Sequence, residues 1–579
     1  MAPASAQPSP GNPPTPTPTG DQGPMPDQPP PNTGAPGQAT MMTDAQIKEL
    51  VDRELARILT ERAAKDAAEK AARDASTADN QTDERKGEII GQSGQTDVRL
   101  AFTLTNENVL VSPGETIPSV PGWRLGTPTS LGVQFFDNYD TRYSGFETLS
   151  HLVAYRDFHH GHWDAEASAV VRINELSESN LALSDDGSYV TLSNWKDPEH
   201  KDPTRISLTV LPVSSDRFRL GYSYRLSWGG SPEYSRANGA VPGAKLQYDT
   251  DKLYAFIGAK SATLLDRRTA ELKSAQAVLA GAGYDVTPML RLEANGGYFD
   301  RGYNELEDVN DQKVQLFGGS FQASLHQGMP LRSSVDYKLY KFNGEQVANL
   351  FSPEVYPGGF SWLAQSEFTV LGQTLKDPDK IGTTKIQTGM AGDLNVRAKL
   401  DRARLRFDLS YRDLAFILHS VPSLPTYEDF PSAYTTKPDL FASVGVDQNW
   451  SDFLTLGLIA GVERPATLTS PKGSVVLPGD TTDQDPTTSS TAVIRNNNID
   501  TLITLLPSGK GAVPLFALKG SAKLTFGRIF TILVEAYYTR DPNQTRYERT
   551  CSDVTQCPFE YQFGEFNQLG FNLTVQARF

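Results

Sequence analysis

The sequence predicts an all-β fold, an antiparallel transmembrane β-barrel of about 18 strands (about 16–20). Three observations predict it. The last stretch, Leu569 to Phe579, alternates apolar with polar residues and ends on an aromatic residue. Similar alternating stretches of about ten residues, the length that a tilted strand needs to cross a bilayer, recur from about residue 130 onward. The links between these stretches alternate between short and long, as barrel turns and loops do.

Composition narrows the ways in which this chain could cross a membrane. Hydrophobic residues make up 38% of the 579 residues, and the mean hydropathy is −0.40. No apolar run approaches the roughly 18 residues that a spanning helix needs. A membrane-spanning structure must therefore be β, because only alternate residues of a barrel strand face lipid. The net charge of −15 argues against a nucleic-acid partner, which requires a basic surface.

The alternation assigns a face to each residue of a strand. In the stretch 404–412, the apolar residues that would face lipid are Leu405, Phe407, Leu409 and Tyr411. The polar residues that would face the interior are Arg404, Arg406, Asp408, Ser410 and Arg412. Charges are costly to bury in an apolar interior, so this interior must be wet, salt-bridged or packed against a plug. A barrel of this size is wide enough for an aqueous lumen.

Charged residues on the inner faces are the candidates for setting ion selectivity. We expect these to line the lumen: Arg217, Arg219, Arg225, Arg291, Arg397, Arg404, Arg406, Arg412, Lys519, Lys523, Arg578, Glu293, Asp393 and Asp408. Basic and acidic residues facing each other would set a transverse field that favours polar or anionic solutes. The plainer interpretation is that these charges only keep the wall hydrated.

Counting strands backward from Phe579 assigns each link to one end of the barrel. The links predicted to be short turns are 157–162, 214–216, 249–252, 285–288, 327–330, 401–402, 449–452 and 527. The links predicted to be long external loops are 174–203, 229–243, 262–272, 302–312, 343–387, 416–439, 465–513 and 541–564. The first crossing strand then lies near Leu131–Phe136. The strand-like pieces 187–195 and 359–371 fall within external loops, and 98–105 is left as a lumen segment, a periplasmic strand or a further crossing strand.

The chain divides by composition into four parts. Residues 1–43 are rich in Pro, Thr, Gly and Gln and predict a disordered arm. Residues 44–78 predict one short amphipathic helix, rich in Ala and charged residues. Residues 79–129 predict a linker with one strand-like segment, a plug or a periplasmic piece, and 130–579 form the barrel. Residues 1–78 are where a periplasmic or cell-wall partner could bind.

Two small motifs remain. Cys551 and Cys557 lie in the last long link, where an oxidising exterior favours a disulfide between them. His159, His160 and His162 lie in a predicted turn, and clustered imidazoles can bind a transition metal. No ligand pattern completes a recognisable site in the sequence, although Asp157 and Asp164 are near. We therefore interpret this motif as a polar turn and predict no metal.

Enzyme signatures are missing from the sequence. It contains no G-x-x-x-x-G-K-[ST], no H-E-x-x-H and no G-x-S-x-G pattern. We accordingly expect a protein that is not an enzyme and needs no cofactor.

The region 130–579 resembles Gram-negative outer-membrane β-barrels of porin-like size. The resemblance lies in the terminal strand 569–579, the alternating strands and the loop lengths, and it indicates a class but not a specific family. It implies a location in the bacterial outer membrane, with the C-terminus in the periplasm and the long loops outside. It also implies contact with outer-membrane lipid and use of Phe579 as the assembly signal for the barrel-assembly machinery. A homo-oligomer is compatible with this class.

Two functions follow as hypotheses. The first is a porin-like channel for small polar or anionic solutes. The alternative is a gated or non-conducting barrel that belongs to an envelope export, secretion or surface-structure assembly. Residues 44–129 discriminate between them, because free diffusion would be blocked if that stretch folded into the lumen.

Overall fold

The computed structural model of the chain describes residues between Asp97 and Arg578. The described ranges are 97–106, 109–110, 123–125, 150–176, 181–223, 225–230, 233–234, 239–266, 268–328, 359–419, 427–451, 453–474, 487–496, 501–526, 530–549 and 559–578. Within these ranges, no helix has both the length and the apolar character required to span a membrane.

Eighteen of the described strands pair, each with the next, into one antiparallel ring. In ring order they are β1 (Asp97–Asn106), β3 (His151–His160), β4 (Trp163–Leu176), β6 (Tyr189–Trp195), β7 (Arg205–Leu211), β8 (Gly243–Asp249), β9 (Leu253–Asp266), β10 (Glu271–Thr287), β11 (Leu290–Tyr303), β12 (Lys313–Gln327), β13 (Phe360–Lys376), β14 (Thr384–Leu400), β15 (Ala403–Arg412), β17 (Asp439–Ser451), β18 (Leu454–Arg464), β22 (Leu515–Phe526), β23 (Phe530–Arg540) and β26 (Asn567–Arg578).

The first strand closes the ring. β1 pairs with β26, where Leu104 lies opposite Leu573, and also with β3, where Leu100 lies opposite Leu152. Every wall strand therefore has a partner on both sides, and no edge is exposed to lipid. The segment 98–105 is a crossing strand, so the described wall includes residues before the boundary that we expected at residue 130, and that boundary is wrong.

The predicted number of strands is confirmed, but three places in the ring are filled by other segments than expected. Leu131–Phe136 lies outside the described residues, and β1 takes the first place. The pieces 187–195 and 359–371, which we assigned to external loops, form the wall strands β6 and β13. The stretch 217–228, which has the alternation of a crossing strand, is not in the wall at all.

The two ends of the barrel differ in their links. At the end that holds Arg578, here called the turn end, five links have the tight form we predicted: 161–162, 250–252, 288–289, 401–402 and 452–453. The opposite end, here called the loop end, carries the long links 212–242, 413–438, 465–514 and 541–566. The alternation is not strict, because the turn-end link after β12 extends over 328–359 and the loop-end link after β9 covers only 267–270.

The two faces of the wall follow the predicted alternation. Along β15 the odd-numbered apolar residues Leu405, Phe407 and Leu409 are exposed on the outside, while the even-numbered residues point inward and are buried. Large aromatic residues are exposed on the outer surface near the turn end: Phe158, Trp163, Tyr248, Tyr284, Phe360, Trp450, Phe453, Phe526 and Phe530. Such a girdle is typical of a barrel where its apolar band meets the membrane interface.

Smaller elements complete the fold. They are β2 (Trp123–Leu125), β5 (Leu181–Asp185), a 3₁₀ turn (Glu307–Val309), α1 (Leu414–His419), β16 (Thr435–Lys437), β19 (Ala466–Thr469), β20 (Thr491–Asn496), β21 (Thr501–Leu505), β24 (Thr545–Arg549) and β25 (Phe559–Phe563). α1 and the four-stranded sheet β16–β19–β20–β21 share an apolar core that includes Leu414, Leu468 and Leu505. We call these elements the loop-end cap. Ile503 and Leu505 of the link 465–514 therefore pack within the protein.

Candidate functional site

The link 212–242 folds into the barrel, and we call it the inward segment. Its two ends meet beside β7 and β8, where Ser215 N donates to Val241 O at 2.9 Å and Val241 N donates to Val213 O at 2.8 Å. Further along, Leu220 and Trp228 exchange backbone hydrogen bonds of 2.9 and 3.0 Å. The segment thus contains a hairpin closed by Leu220 and Trp228, and its base is closed by a parallel bridge between Ser214 and Val241.

Apolar side chains seat the inward segment against one half of the wall. Four of them are 0% exposed: Phe218, Leu220, Leu226 and Trp228. They pack with inward-facing side chains of the wall: Phe256, Ala277, Leu279, Phe299, Leu316 and Leu371. Gly258 is required here, because a Cβ at that position would overlap the ring of Phe218. Trp228 Nε1 also donates to Ser320 Oγ of β12 at 3.1 Å.

Buried polar groups hold the turn and the base of the segment. The carboxylate of Glu367 on β13 accepts hydrogen bonds from Tyr222 N at 2.8 Å and Ser223 N at 3.0 Å. Lys260 Nζ of β9 donates to the backbone oxygens of Ser215, at 2.6 Å, and Gly229. Charge-assisted bonds of this kind are stronger than neutral ones, so the segment is fixed at both ends.

The tip of the segment reaches the far half of the barrel. Arg225 lies 3.4 Å from Glu463 of β18 and 3.7 Å from Asp439 of β17, and its guanidinium stands over the ring of Phe441. Arg412 of β15 binds Asp439 at 2.6 Å and donates to the Arg225 backbone oxygen at 3.4 Å. The segment therefore narrows the lumen to the space beside these charges.

The wall beyond the tip is charged, and its cations lie against carboxylates. Arg404 and Arg406 both bind Asp447, with Arg406 Nη2 3.0 Å from each carboxylate oxygen. Lys519 Nζ lies 3.4 Å from Glu535, which also accepts a bond of 2.8 Å from Asn572. Arg406 Nε and Nη1 are buried and have no hydrogen-bond partner among the described residues. A barrel wall that carries so many ionisable groups is suited to polar contents.

The structure places most of the sequence-predicted lumen residues on inner surfaces. Those buried on the inner face of the wall are Arg291, Glu293, Arg404, Arg406, Asp408, Arg412, Lys519 and Lys523. Asp393 and Arg397 share the inward side of β14 with buried Asn395 and are half-buried. Arg217, Arg219 and Arg225 belong to the inward segment and not to a wall strand, so their assignment to the wall is wrong.

Other predictions fall outside the described part of the chain. The side chain of Arg578 is not described, although the strand register places that residue opposite Arg99. Cys551, Cys557 and Phe579 lie outside the described residues, as do the arm 1–43 and the helix 44–78. The disulfide and the assembly signal therefore stay predictions.

Sequence reasoning missed the acidic partners of the inner cations. Asp439, Asp447 and Glu463 lie on the inward sides of β17 and β18, and Glu367 lies on the inward side of β13. The same alternation could have found them, because their neighbours Leu440, Val446 and Val462 are apolar and exposed. The wall positions that contact the inward segment show a weaker pattern in the sequence, because small residues recur at the inward positions of β9 and β10.

A second ion pair joins the inward segment to the loop-end cap. His419 Nε2 of α1 lies 3.1 Å from Glu233 Oε1, and Arg301 of β11 donates to the His419 backbone oxygen at 2.8 Å. Burial alone would raise the pKa of the Glu233 carboxyl, but His419, Arg301 and Arg219 together hold that pKa below its usual value. The cap and the segment are thus coupled through one buried carboxylate.

The closed ring, its apolar outer face and its charged interior define the class of this protein. A closed antiparallel barrel satisfies its backbone without water, and apolar residues on its outer face meet lipid. The chain has the architecture of a transmembrane β-barrel of porin-like size.

Comparisons with known proteins give structural likenesses only. No family model and no curated protein matches the chain. OprD of Pseudomonas aeruginosa is 12% identical, with a TM-score of 0.37 over 85% of this chain and 97% of that chain. OpdK of the same organism is 10% identical, with a TM-score of 0.39 over 84% and 100%. A loop-deletion mutant of Vibrio cholerae OmpT is 8% identical, with a TM-score of 0.32 over 84% and 98%. The class given above rests on strand pairing and faces, not on these likenesses.

Proposed function

We propose that this protein is a constricted channel for small polar solutes that favours anions, with the loop end outside the cell and the turn end in the periplasm. The observation that carries the proposal is the inward segment, which brings Arg225 against the charged wall. Any solute that crosses the barrel must pass this narrow region, so its charges set what passes.

The charges of the constriction favour small anions modestly. The cations there are Arg225, Arg404, Arg406, Arg412, Lys519 and Lys523, and the carboxylates are Asp408, Asp439, Asp447, Glu463 and Glu535. Because the numbers of positive and negative side chains are nearly equal, selectivity depends on where each charge lies along the passage.

Ion selectivity of the full-length protein in planar bilayers tests the proposal. Reversal potentials in a salt gradient should show anions favoured, and neutralising Arg225 should reduce that preference. A cation-selective wild-type channel would contradict the anion preference, and a channel insensitive to the charge at Arg225 would contradict the location of the filter.

A gated or closed barrel within an envelope assembly is the second candidate, and burial of the lumen wall favours it. Asp447, Glu535 and Asn572 face the lumen and are 0% exposed. The loop-end cap also reaches across the mouth, since its α1 follows β15 but binds Arg301 of β11. Conductance should be compared between the full chain and a chain lacking residues 1–96, which retains β1. A large, steady conductance of the full chain would exclude the closed form.

A further inference from the structure

A cluster of two histidines and one aspartate lies at the turn end, on the inner side of the barrel. His159 is the second-last residue of β3, Asp164 is the second residue of β4, and His200 belongs to the link 196–204 between β6 and β7. Their ligand atoms all lie within 4.8 Å of one another. Sequence reasoning considered the adjacent histidines together with Asp157 and Asp164 but missed His200. That residue lies 36 positions after Asp164 in the sequence and is brought alongside it by the pairing of β4 with β6.

The carboxylate is buried and held in place. Asp164 is 2% exposed, hydrogen-bonds to His159 Nδ1 and accepts a hydrogen bond from Trp195 Nε1. Trp195 is itself fixed, because its backbone oxygen accepts a bond of 2.8 Å from His162 Nδ1. Groups that orient a ligand in this way are the usual outer partners of protein metal sites.

The second imidazole points at the carboxylate without completing a hydrogen bond. His200 Nε2 lies 3.4 Å from Asp164 Oδ2, is buried, and has no hydrogen-bond partner among the described residues. The ring of His200 stacks on Trp195 at 4.2 Å, and its backbone φ of 58° lies in the left-handed region. A buried nitrogen with no partner is costly, and a metal ion between it and Asp164 would satisfy it.

The cluster is also negatively biased and open to entry. Asp157 lies on the same inner face of β3, is 4% exposed, and its Oδ2 has no hydrogen-bond partner among the described residues. The side chains of His159 and His200 are 41% and 26% exposed, so an ion can reach them from solvent. Two imidazoles with a carboxylate suit zinc and neighbouring first-row ions, whose bonds to such ligands are about 2.0–2.2 Å.

We propose that His159, Asp164 and His200 bind a divalent transition-metal ion of the zinc class, which joins the β3–β4 turn to the β6–β7 link at the turn-end mouth. Binding requires only that the most widely separated ligand atoms approach each other by about 1.5 Å, from 4.8 Å to the roughly 3.3 Å between ligand atoms of a tetrahedral site. Solvent supplies the remaining ligand. The site would clamp one sector of the barrel rim and place a positive charge beside the lumen.

Zinc titration of the full-length protein tests the proposal. Folded protein without a polyhistidine tag is freed of metal with a chelator and titrated calorimetrically with ZnCl₂, and Co²⁺ is added separately to read its visible absorption. We expect one Zn²⁺ per chain and a tetrahedral Co²⁺ spectrum that Zn²⁺ abolishes. Failure of the wild-type protein to bind one equivalent of Zn²⁺ would overturn the proposal.

Matched variants distinguish this cluster from other histidines. His200→Ala, in a link outside the strands, and Asp164→Asn should each weaken Zn²⁺ binding at least about tenfold. His160→Ala is the control, because His160 is adjacent and exposed but lies outside the cluster. Trp195→Phe keeps an aromatic ring and removes the hydrogen bond to Asp164, so it should weaken binding by about 10–100-fold. Heat-modifiable migration checks folding, and binding by His200→Ala equal to that of the wild type would also overturn the proposal.

Discussion

The two halves of the barrel interior differ sharply, although their outer faces are alike. The inner side of β9–β13 is apolar where it holds the inward segment, with Phe256, Leu279 and Phe299 at its centre. The inner side of β15–β23 carries Arg404, Arg406 and Lys519 with their acidic partners. Lipid imposes the same apolar requirement on the outside of both halves. The inside of each half is instead suited to what it contacts, a folded hairpin in one case and polar contents in the other.

This contrast indicates that the two halves of the barrel interior have different structural roles. The apolar half fixes the position of the hairpin through burial of large side chains, each of which stabilises its seat by about 1.5–3 kcal/mol. The charged half then needs only to present its ion pairs to the tip. Changes in the apolar half should therefore alter the width of the passage, and changes in the charged half should alter its selectivity.

Removing the hairpin of the inward segment should have the largest effect on conductance. Its base is closed by hydrogen bonds between Ser215 and Val241, so residues 216–240 can be replaced by a short Gly/Ser linker. Because an 18-stranded barrel without a constriction is wide, single-channel conductance should rise at least about threefold. Heat-modifiable migration would show that the barrel still forms. An unchanged conductance in a folded variant would mean that the hairpin does not limit the passage.

Weakening the contacts that hold the inward segment against the wall should also raise the conductance, but by less. Gly258→Ala places a Cβ against the ring of Phe218 and should cost about 1–3 kcal/mol of seating free energy. We expect higher and noisier conductance in bilayer recordings. Gly520→Ala on β22 is the matched control, since a Cβ there meets no atom within 4 Å. Equal behaviour of the two variants would show that the apolar half does not position the hairpin.

Neutralising Arg225 at the tip of the inward segment should change the ion selectivity with little change in the width of the passage. Arg225→Gln removes the cation beside Asp439 and Glu463. The anion-to-cation permeability ratio, measured from reversal potentials, should fall roughly twofold or more. Lys510→Gln, at an exposed loop-end residue, should leave the ratio unchanged. If both variants shift it equally, the effect is one of overall charge and not of the constriction.

Acidification should have the smallest effect, through Glu233. Its pKa is lower in the folded protein, so the stabilisation is present above its ordinary pKa and is lost as the pH falls through the lowered one. Channel noise from a loosened hairpin should therefore appear only in distinctly acidic buffer. Glu233→Gln should show that noise at neutral pH and lose its acid dependence. A wild-type channel that became noisy between pH 7 and 6 would need another group to explain it.

Much of the wall could be predicted because lipid selects one face of every strand. β15 follows the predicted alternation residue by residue, and the total of 18 strands is confirmed. The identity of individual strands was predicted wrongly at three places in the ring. The stretch 217–228 alternates as well as any wall strand, yet its apolar side chains are buried against the barrel interior. Alternation reports that one side of a chain is apolar, and it does not say whether lipid or protein covers that side.

The candidate site was less predictable because it depends on contacts between distant parts of the chain. Arg225 and Glu463, or Tyr222 and Glu367, meet only once the hairpin crosses the lumen. No local pattern encodes that crossing. β6, with seven residues, was also missed, because counting it as a wall strand would have broken the expected alternation of short and long links.

The closing seam has a consequence for how this barrel can form. β1 supplies it, and β1 meets β26 over eight residue pairs and β3 over only five, against seventeen pairs between β13 and β14. The seam joins the first and last strands, which are separated by most of the chain, so it cannot form until translation is complete. A sheet assembled from β3 onward would stay open at one edge until β1 arrives. We therefore expect closure to come late in assembly, and it depends on β1, whose five pairs with β3 are the fewest between any two neighbouring strands of the described ring.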